Sequence, residues 1–87
     1  MVLYSPAEMS SAEDPSYKRF RELLIEARKK AALTQTGLSS KLQRPQSFVS
    51  KYERGERRLD VIEFGEIARS LGLDPARFLG KFYRETT

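Results

Sequence analysis

The 87-residue chain contains no cysteine and no histidine. The first absence removes disulfides, thiolate metal sites and cysteine nucleophiles. The second removes the commonest general base and metal ligand. A zinc site or a histidine-based triad is therefore excluded. Long apolar runs are also missing. Past the first few positions none exceeds three residues, as in Leu23-Leu24-Ile25, far short of the ~20 apolar residues that cross a bilayer as a helix. The opening residues show neither the basic nor the apolar region of a signal peptide. The expectation is a cytoplasmic protein that does not enter a membrane.

What is present fits one small globular domain. Hydrophobic residues make up 39% of the chain and charged residues 32%, a balance that favours a folded core over disorder. At this length there is room for one core and no separate effector domain. The net charge is +4 and unevenly spread. Residues 1–14 carry three acids and no base, whereas residues 15–87 carry sixteen bases and nine acids. Between Lys41 and Arg58 six bases face only Glu53 and Glu56. A basic stretch of this kind suits a polyanion, although a solvated charged surface gives the same count.

Residues 1–13, with Pro6 and three serines, show no periodicity and are expected to form a flexible arm. Residues 14–87 are then the folded domain. Asp14-Pro15 opens a first helix, with Asp14 as N-cap and proline at the first helical position. Its apolar stripe is Tyr17, Phe20, Leu23, Leu24, Ala27 and Ala31, at the three- and four-residue spacing of one helix face. Thr34 caps a second helix over 34–42, although Gly37 stands where an acid would complete a capping box. Pro45 begins a third helix over 45–54, which Gly55 ends as a left-handed residue. Asp60 and Glu63 form a capping box for a fourth helix, which Gly72 ends. Asp74-Pro75 opens a fifth, with Phe78, Leu79 and Phe82 inward. Phe82 and Tyr83 read either as a cap on the core or as a dimer seam. The expected fold is all-α, with five short helices around one core.

The second and third helices, joined by a short turn, have the helix-turn-helix arrangement. At about 100° per residue, Phe48, Val49 and Tyr52 share one third of the third helix's circumference and must face the core. Gln46, Ser47, Ser50, Lys51 and Arg54 fall on the other side. That outward face holds amides, hydroxyls and cations and no carboxylate, with Glu53 at its flank. Such a helix fits the major groove of DNA by width and by charge.

The residues carry a specific resemblance. Leu33-Thr34-Gln35, the run from Gln46 to Gly55 (QSFVSKYERG), Glu66-Ile67-Ala68 and Leu71-Gly72-Leu73-Asp74-Pro75 resemble the Cro/repressor-like, or xenobiotic-response-element type, helix-turn-helix family over about residues 17–82. The resemblance implies a lambda-repressor-like five-helix domain. It implies binding to double-stranded DNA through the major groove, without a cofactor, as a homodimer on a palindrome. It implies base contacts from Gln46, Ser47 and Lys51 and a phosphate contact from Gln35; Ser50, on the same outward face, is a further base-contact candidate, and Arg44, Arg54, Arg57 and Arg58, which flank the third helix, are expected to clamp the backbone. It also implies a structural ion pair between Arg28 and Glu53. Three positions depart from the family pattern: Gln43 stands where glycine is usual, Arg44 where a hydrophobic residue is usual, and Ser39 where alanine is usual. The expected function is transcriptional regulation, as a repressor of bacterial or phage type. An antitoxin with a toxin partner, or a restriction-system controller, would use the same DNA surface. A protein–protein adaptor would tolerate acids on the third helix, and catalysis lacks a nucleophile–base set.

Overall fold

The computed structural model describes residues 14–86, and the expected arm over residues 1–13 lies outside them. The described residues form five helices and no strand. They are α1 (Pro15–Lys30), α2 (Gln35–Lys41), α3 (Phe48–Glu53), α4 (Val61–Ser70) and α5 (Pro75–Thr86). Each start has a local cause. The Asp14 carboxylate accepts from the N–H groups of Ser16 and Tyr17 at 2.9 and 3.3 Å. Thr34 Oγ1 accepts from Gly37 N–H at 2.9 Å. Asp60 and Glu63 form the full capping box of α4, and Asp74 caps α5 through Ala76 N–H. These side chains satisfy donors that a helix leaves unpaired at its first turn.

The first four helices end alike. After each C-cap one residue enters the left-handed region, and two backbone N–H groups turn back onto the last carbonyls. For α3, Gly55 N–H donates to Tyr52 C=O at 3.1 Å and Glu56 N–H to Lys51 C=O at 3.0 Å. For α4, Gly72 and Leu73 donate to Arg69 and Ala68. These are Schellman closures, in which glycine carries no steric cost. For α1 and α2 the left-handed residues are Ala32 (φ 60°) and Gln43 (φ 57°). The helix-turn-helix corner thus keeps its closure at Gln43, through Gln43 N–H to Ser40 C=O and Arg44 N–H to Ser39 C=O.

Leu24, Leu38, Val49, Tyr52, Ile67 and Ala68 are fully buried and join all of the first four helices in one core. Phe20 ties α1 to the C-terminal half, with its ring centroid 5.5 Å from those of Phe64 and Phe82 and 6.1 Å from Phe78. Phe82 is therefore a core residue, and its place in a dimer seam does not survive. Ala31, expected to face inward, is the exposed C-cap of α1. The third helix is also shorter than expected. Pro45, Gln46 and Ser47 form a tight turn closed by Phe48 N–H to Pro45 C=O at 2.9 Å, and the first α-helical bond runs from Lys51 N–H to Ser47 C=O. Proline tolerates this three-residue turn as well as a helix start, because either leaves its nitrogen without a proton to place.

Candidate nucleic-acid interface

The inner side of α3 fixes its outer side. Phe48, Val49 and Tyr52 sit in the core. Glu53, the one acid of the helix, is buried as well and is enclosed by three side chains. Arg28 of α1 grips it with two hydrogen bonds, Nε to Oε2 at 2.7 Å and Nη2 to Oε1 at 3.1 Å. Gln35 of α2 donates from Nε2 to the same Oε1 at 2.8 Å. Arg21 donates to the Glu53 backbone carbonyl at 2.7 Å, which satisfies an acceptor at the helix end. Arg28 also donates to Leu33 C=O at 2.8 Å, so one guanidinium ties α1, the α1–α2 turn and α3 together. The hydrogen bonds that Arg28 donates to Glu53 raise the pKa of Arg28 above its ordinary value. Bidentate geometry and satisfied neighbours are what make a buried ion pair tolerable.

With Glu53 turned inward, the face left to solvent holds Gln46, Ser47 and Lys51, all exposed, and Ser50, half-buried. Ser50 Oγ donates to Ser47 C=O at 3.0 Å. Gln46 Nε2 reaches Thr36 Oγ1 of α2 at 3.5 Å. Gln35 keeps a second amide hydrogen beyond the one given to Glu53, since a glutamine amide has two.

The start of α3 is held from behind by Ser39. Ser47, its N-cap, makes no side-chain capping bond, and Pro45 has no polar side chain. The fully buried hydroxyl of Ser39 accepts from Val49 N–H at 3.2 Å and donates to Gln46 C=O at 3.3 Å. A side chain of α2 thus supplies the cap that α3 lacks, and fixes the backbone of Gln46.

The flanking arginines are all engaged within the chain. Arg54 pairs with Glu56 at 2.6 Å, both exposed. Arg57 grips Glu63 with Nη1 at 2.9 Å and Nη2 at 2.6 Å. Arg44 reaches Glu63 at 3.7 Å and Glu66 at 3.1 Å. The guanidiniums of Arg44 and Arg57 each lie 5.0 Å from the ring centroid of Phe48. This is a cation–π arrangement on the first residue of α3. Arg58 lies 4.3 Å from the Tyr17 ring centroid, and the Tyr17 hydroxyl accepts from Leu59 N–H at 3.3 Å, which fastens the α3–α4 loop to α1. Glu63 is the hub. The Arg57 guanidinium, then the Asp60 backbone N–H, hold its carboxyl down at about 2.

Sequence reasoning found the inward and outward faces of α3 but missed Glu63 as the partner of two arginines. It read Glu63 only as half of a capping box. Its spacing from Arg57 across a loop carries no periodic signal. Ser39 stood out only as a departure from alanine.

A helix-turn-helix family model matches residues 24–78, which contain α2, the turn, α3 and α4. Among solved structures, an XRE-family like protein from Pseudomonas syringae pv. tomato str. DC3000 is similar, at 49% identity and a TM-score of 0.79 over 85% of this chain and 92% of that one. None of the curated proteins matches. The family is one of DNA-binding transcription regulators and not of enzymes. On the match of its helix-turn-helix core and on this relative, the chain belongs to the XRE family of helix-turn-helix proteins.

Proposed function

We propose that this protein binds double-stranded DNA sequence-specifically, as a repressor, in pairs on an inverted repeat. One observation carries the reading: the only carboxylate of α3 is buried under Arg28 and Gln35. This leaves a projecting face of amide, hydroxyls and amine. Gln46 suits adenine, whose N7 accepts while N6 donates, and Lys51 suits guanine O6 and N7. Ser47 and Ser50 are short enough to let the backbone of α3 lie close to the base edges. Gln35, Arg44, Arg54, Arg57 and Arg58 are the proposed phosphate contacts, which set register and affinity without reading sequence. Half-sites about one helical turn apart, roughly 34 Å, follow from two-fold symmetry on B-DNA.

The same reading places the protein in the cytoplasm, where the DNA is, and leaves catalysis with no part. Among the described residues no helix is long and apolar enough to cross a membrane. The proposed domain is residues 14–87, with residues 1–13 as an acidic extension to it.

Selection from a random duplex library tests the proposal. Enrichment of a short inverted repeat supports it. A library that stays random after several rounds, with binding that responds only to salt, contradicts sequence-specific recognition.

A further inference from the structure

A cleft lies between the C-terminal half of α1, the α4–α5 turn and the start of α5, and no residue of α2 or α3 lines it. It encloses about 610 Å³. Its floor is apolar: Leu23 and Ala27 from α1, Leu71 and Leu73 from the turn, and Phe78 from α5. Its rim is charged, with Glu26 and Lys30 on α1, Asp74 before α5, and Arg77 and Lys81 on α5. The acids of that rim are already engaged. Glu26 faces Arg19 at 3.4 Å, and the Asp74 carboxylate accepts from Ala76 and Arg77 N–H at 2.9 and 3.4 Å. The cations are not. Among the described residues no carboxylate forms an ion pair with Lys30, Arg77 or Lys81, and Lys81 acts on Glu85 only through space. Beside α3, by contrast, Arg44, Arg54 and Arg57 are each paired.

We propose that this cleft binds a small amphiphilic anion, an acid group carried on an aliphatic or aromatic body. Three features select this class. The volume lies within the roughly 300–1,000 Å³ of small-molecule sites. It is too small for a partner's helix, two turns of which fill on the order of 900 Å³. The side chains of the floor offer no hydrogen bond, so they suit an apolar body. And the unpaired charge is of one sign. Arg77 and Lys81 stand one turn apart on α5, and Lys30 stands on α1, with the Arg77 fork able to hold an acid group through two hydrogen bonds. The site goes beyond DNA recognition, since no residue proposed to touch DNA lines it.

Amide NMR of the full chain without DNA, titrated with octanoate, octylammonium and acetate, tests this. Octanoate should bind saturably with a dissociation constant on the order of 1 mM, shifting the amides of Ala27, Leu73 and Phe78. Octylammonium has the same tail with the opposite charge, and acetate has the charge without the tail. Each should bind weaker by about tenfold or more. Arg77→Glu and Lys81→Glu, both at exposed positions, should each weaken octanoate by about fivefold or more. Lys41→Glu, the same charge change outside the cleft, should leave it unchanged. The spectra themselves show whether each variant is folded, and the comparison of the three ligands needs no variant.

No saturation by about 20 mM octanoate overturns the inference. So does equal binding of octylammonium or acetate, or binding that both α5 variants leave intact or that Lys41→Glu weakens as much. Shifts centred on the exposed Val61 and Ile62 instead of the cleft overturn it too. Cleft amides that move on diluting the protein alone, or on Leu3→Asp alone, would show a second copy or the chain's own first residues in the cleft, against a small ligand.

Discussion

The Ser39 hydroxyl and the Val49 backbone N–H, 3.2 Å apart, join the two helices of the helix-turn-helix where the second one starts. Val49 N–H belongs to the first turn of α3 and has no helical acceptor. Ser39 is fully buried, so no water replaces it if it is lost. Ser39→Ala should cost about 1–3 kcal/mol, the penalty of a buried donor left without a partner. Urea denaturation measures this. The same variant frees the Gln46 carbonyl, so binding to a selected duplex should fall by a larger factor than binding to a scrambled one.

Glu63 makes stability depend on acid. Its carboxyl is held at about 2 by Arg57 and by Asp60 N–H, below the ordinary value of 4.5 that it regains on unfolding. The folded state therefore prefers the ionised form. Its contribution is complete above about pH 4.5 and fades as the pH falls toward 2. On the order of 2–3 kcal/mol is at stake. Denaturant midpoints from pH 5 to pH 2 should fall, and Glu63→Gln should be less stable at pH 5 with a flatter profile over that window. A variant whose profile matches the wild type would put the acid sensitivity elsewhere.

Gln46→Ala and Lys51→Ala should each lose about 1–3 kcal/mol of binding, concentrated at particular base pairs. The arginines behave differently. An unpaired phosphate contact adds nearly one unit to the salt slope, but Arg57 is already neutralised by Glu63. Arg57→Ala should thus flatten the slope by less than one unit. Glu63→Gln releases that charge, while Arg44 keeps Glu66 at 3.1 Å, and should steepen the slope. Anisotropy titrations at several salt concentrations read both. If Gln46→Ala and Arg57→Ala weaken every duplex alike, the division between base contacts and phosphate contacts is wrong.

Ala32 and Gln43 carry left-handed backbone at 60° and 57°, where a side chain costs about 1–2 kcal/mol relative to glycine. Glycine also loses more freedom on folding, which offsets part of this. Ala32→Gly and Gln43→Gly should each raise stability by up to about 1 kcal/mol, seen as a higher melting temperature. A lower one would mean that the backbone relaxes out of the left-handed region.

Helix starts were legible because capping is local: Asp14, Thr34, Asp60 and Asp74 each act within three residues of themselves. The inward face of α3 was legible from periodicity alone. The start of α3 was not, since Pro45 permits either a helix or a tight turn, and a side chain on α2 decides. The ends of α1 and α2 were also hidden, because Ala32 and Gln43 do a glycine's work. At the site, the outward residues could be read from the wheel, but not their engagements. Glu63 meets Arg44 and Arg57 only once α4 folds back on the turn, and Gln35 turns to Glu53 across 18 residues.

The Arg28–Glu53 pair bears most directly on the central claim, because it removes the only acid from the outward face of α3. Glu53→Gln or Arg28→Met should destabilise the fold by about 3–5 kcal/mol, as one charge is left buried without its partner. The decisive measurement is on the intact protein. Fluorescence anisotropy should compare the duplex enriched by selection with a scrambled duplex of equal length across a salt series. Tighter binding to the enriched duplex by at least about 10³-fold, with a steep salt dependence for both, is the expected result. Equal affinity for the two at every salt concentration would contradict sequence-specific recognition by α3.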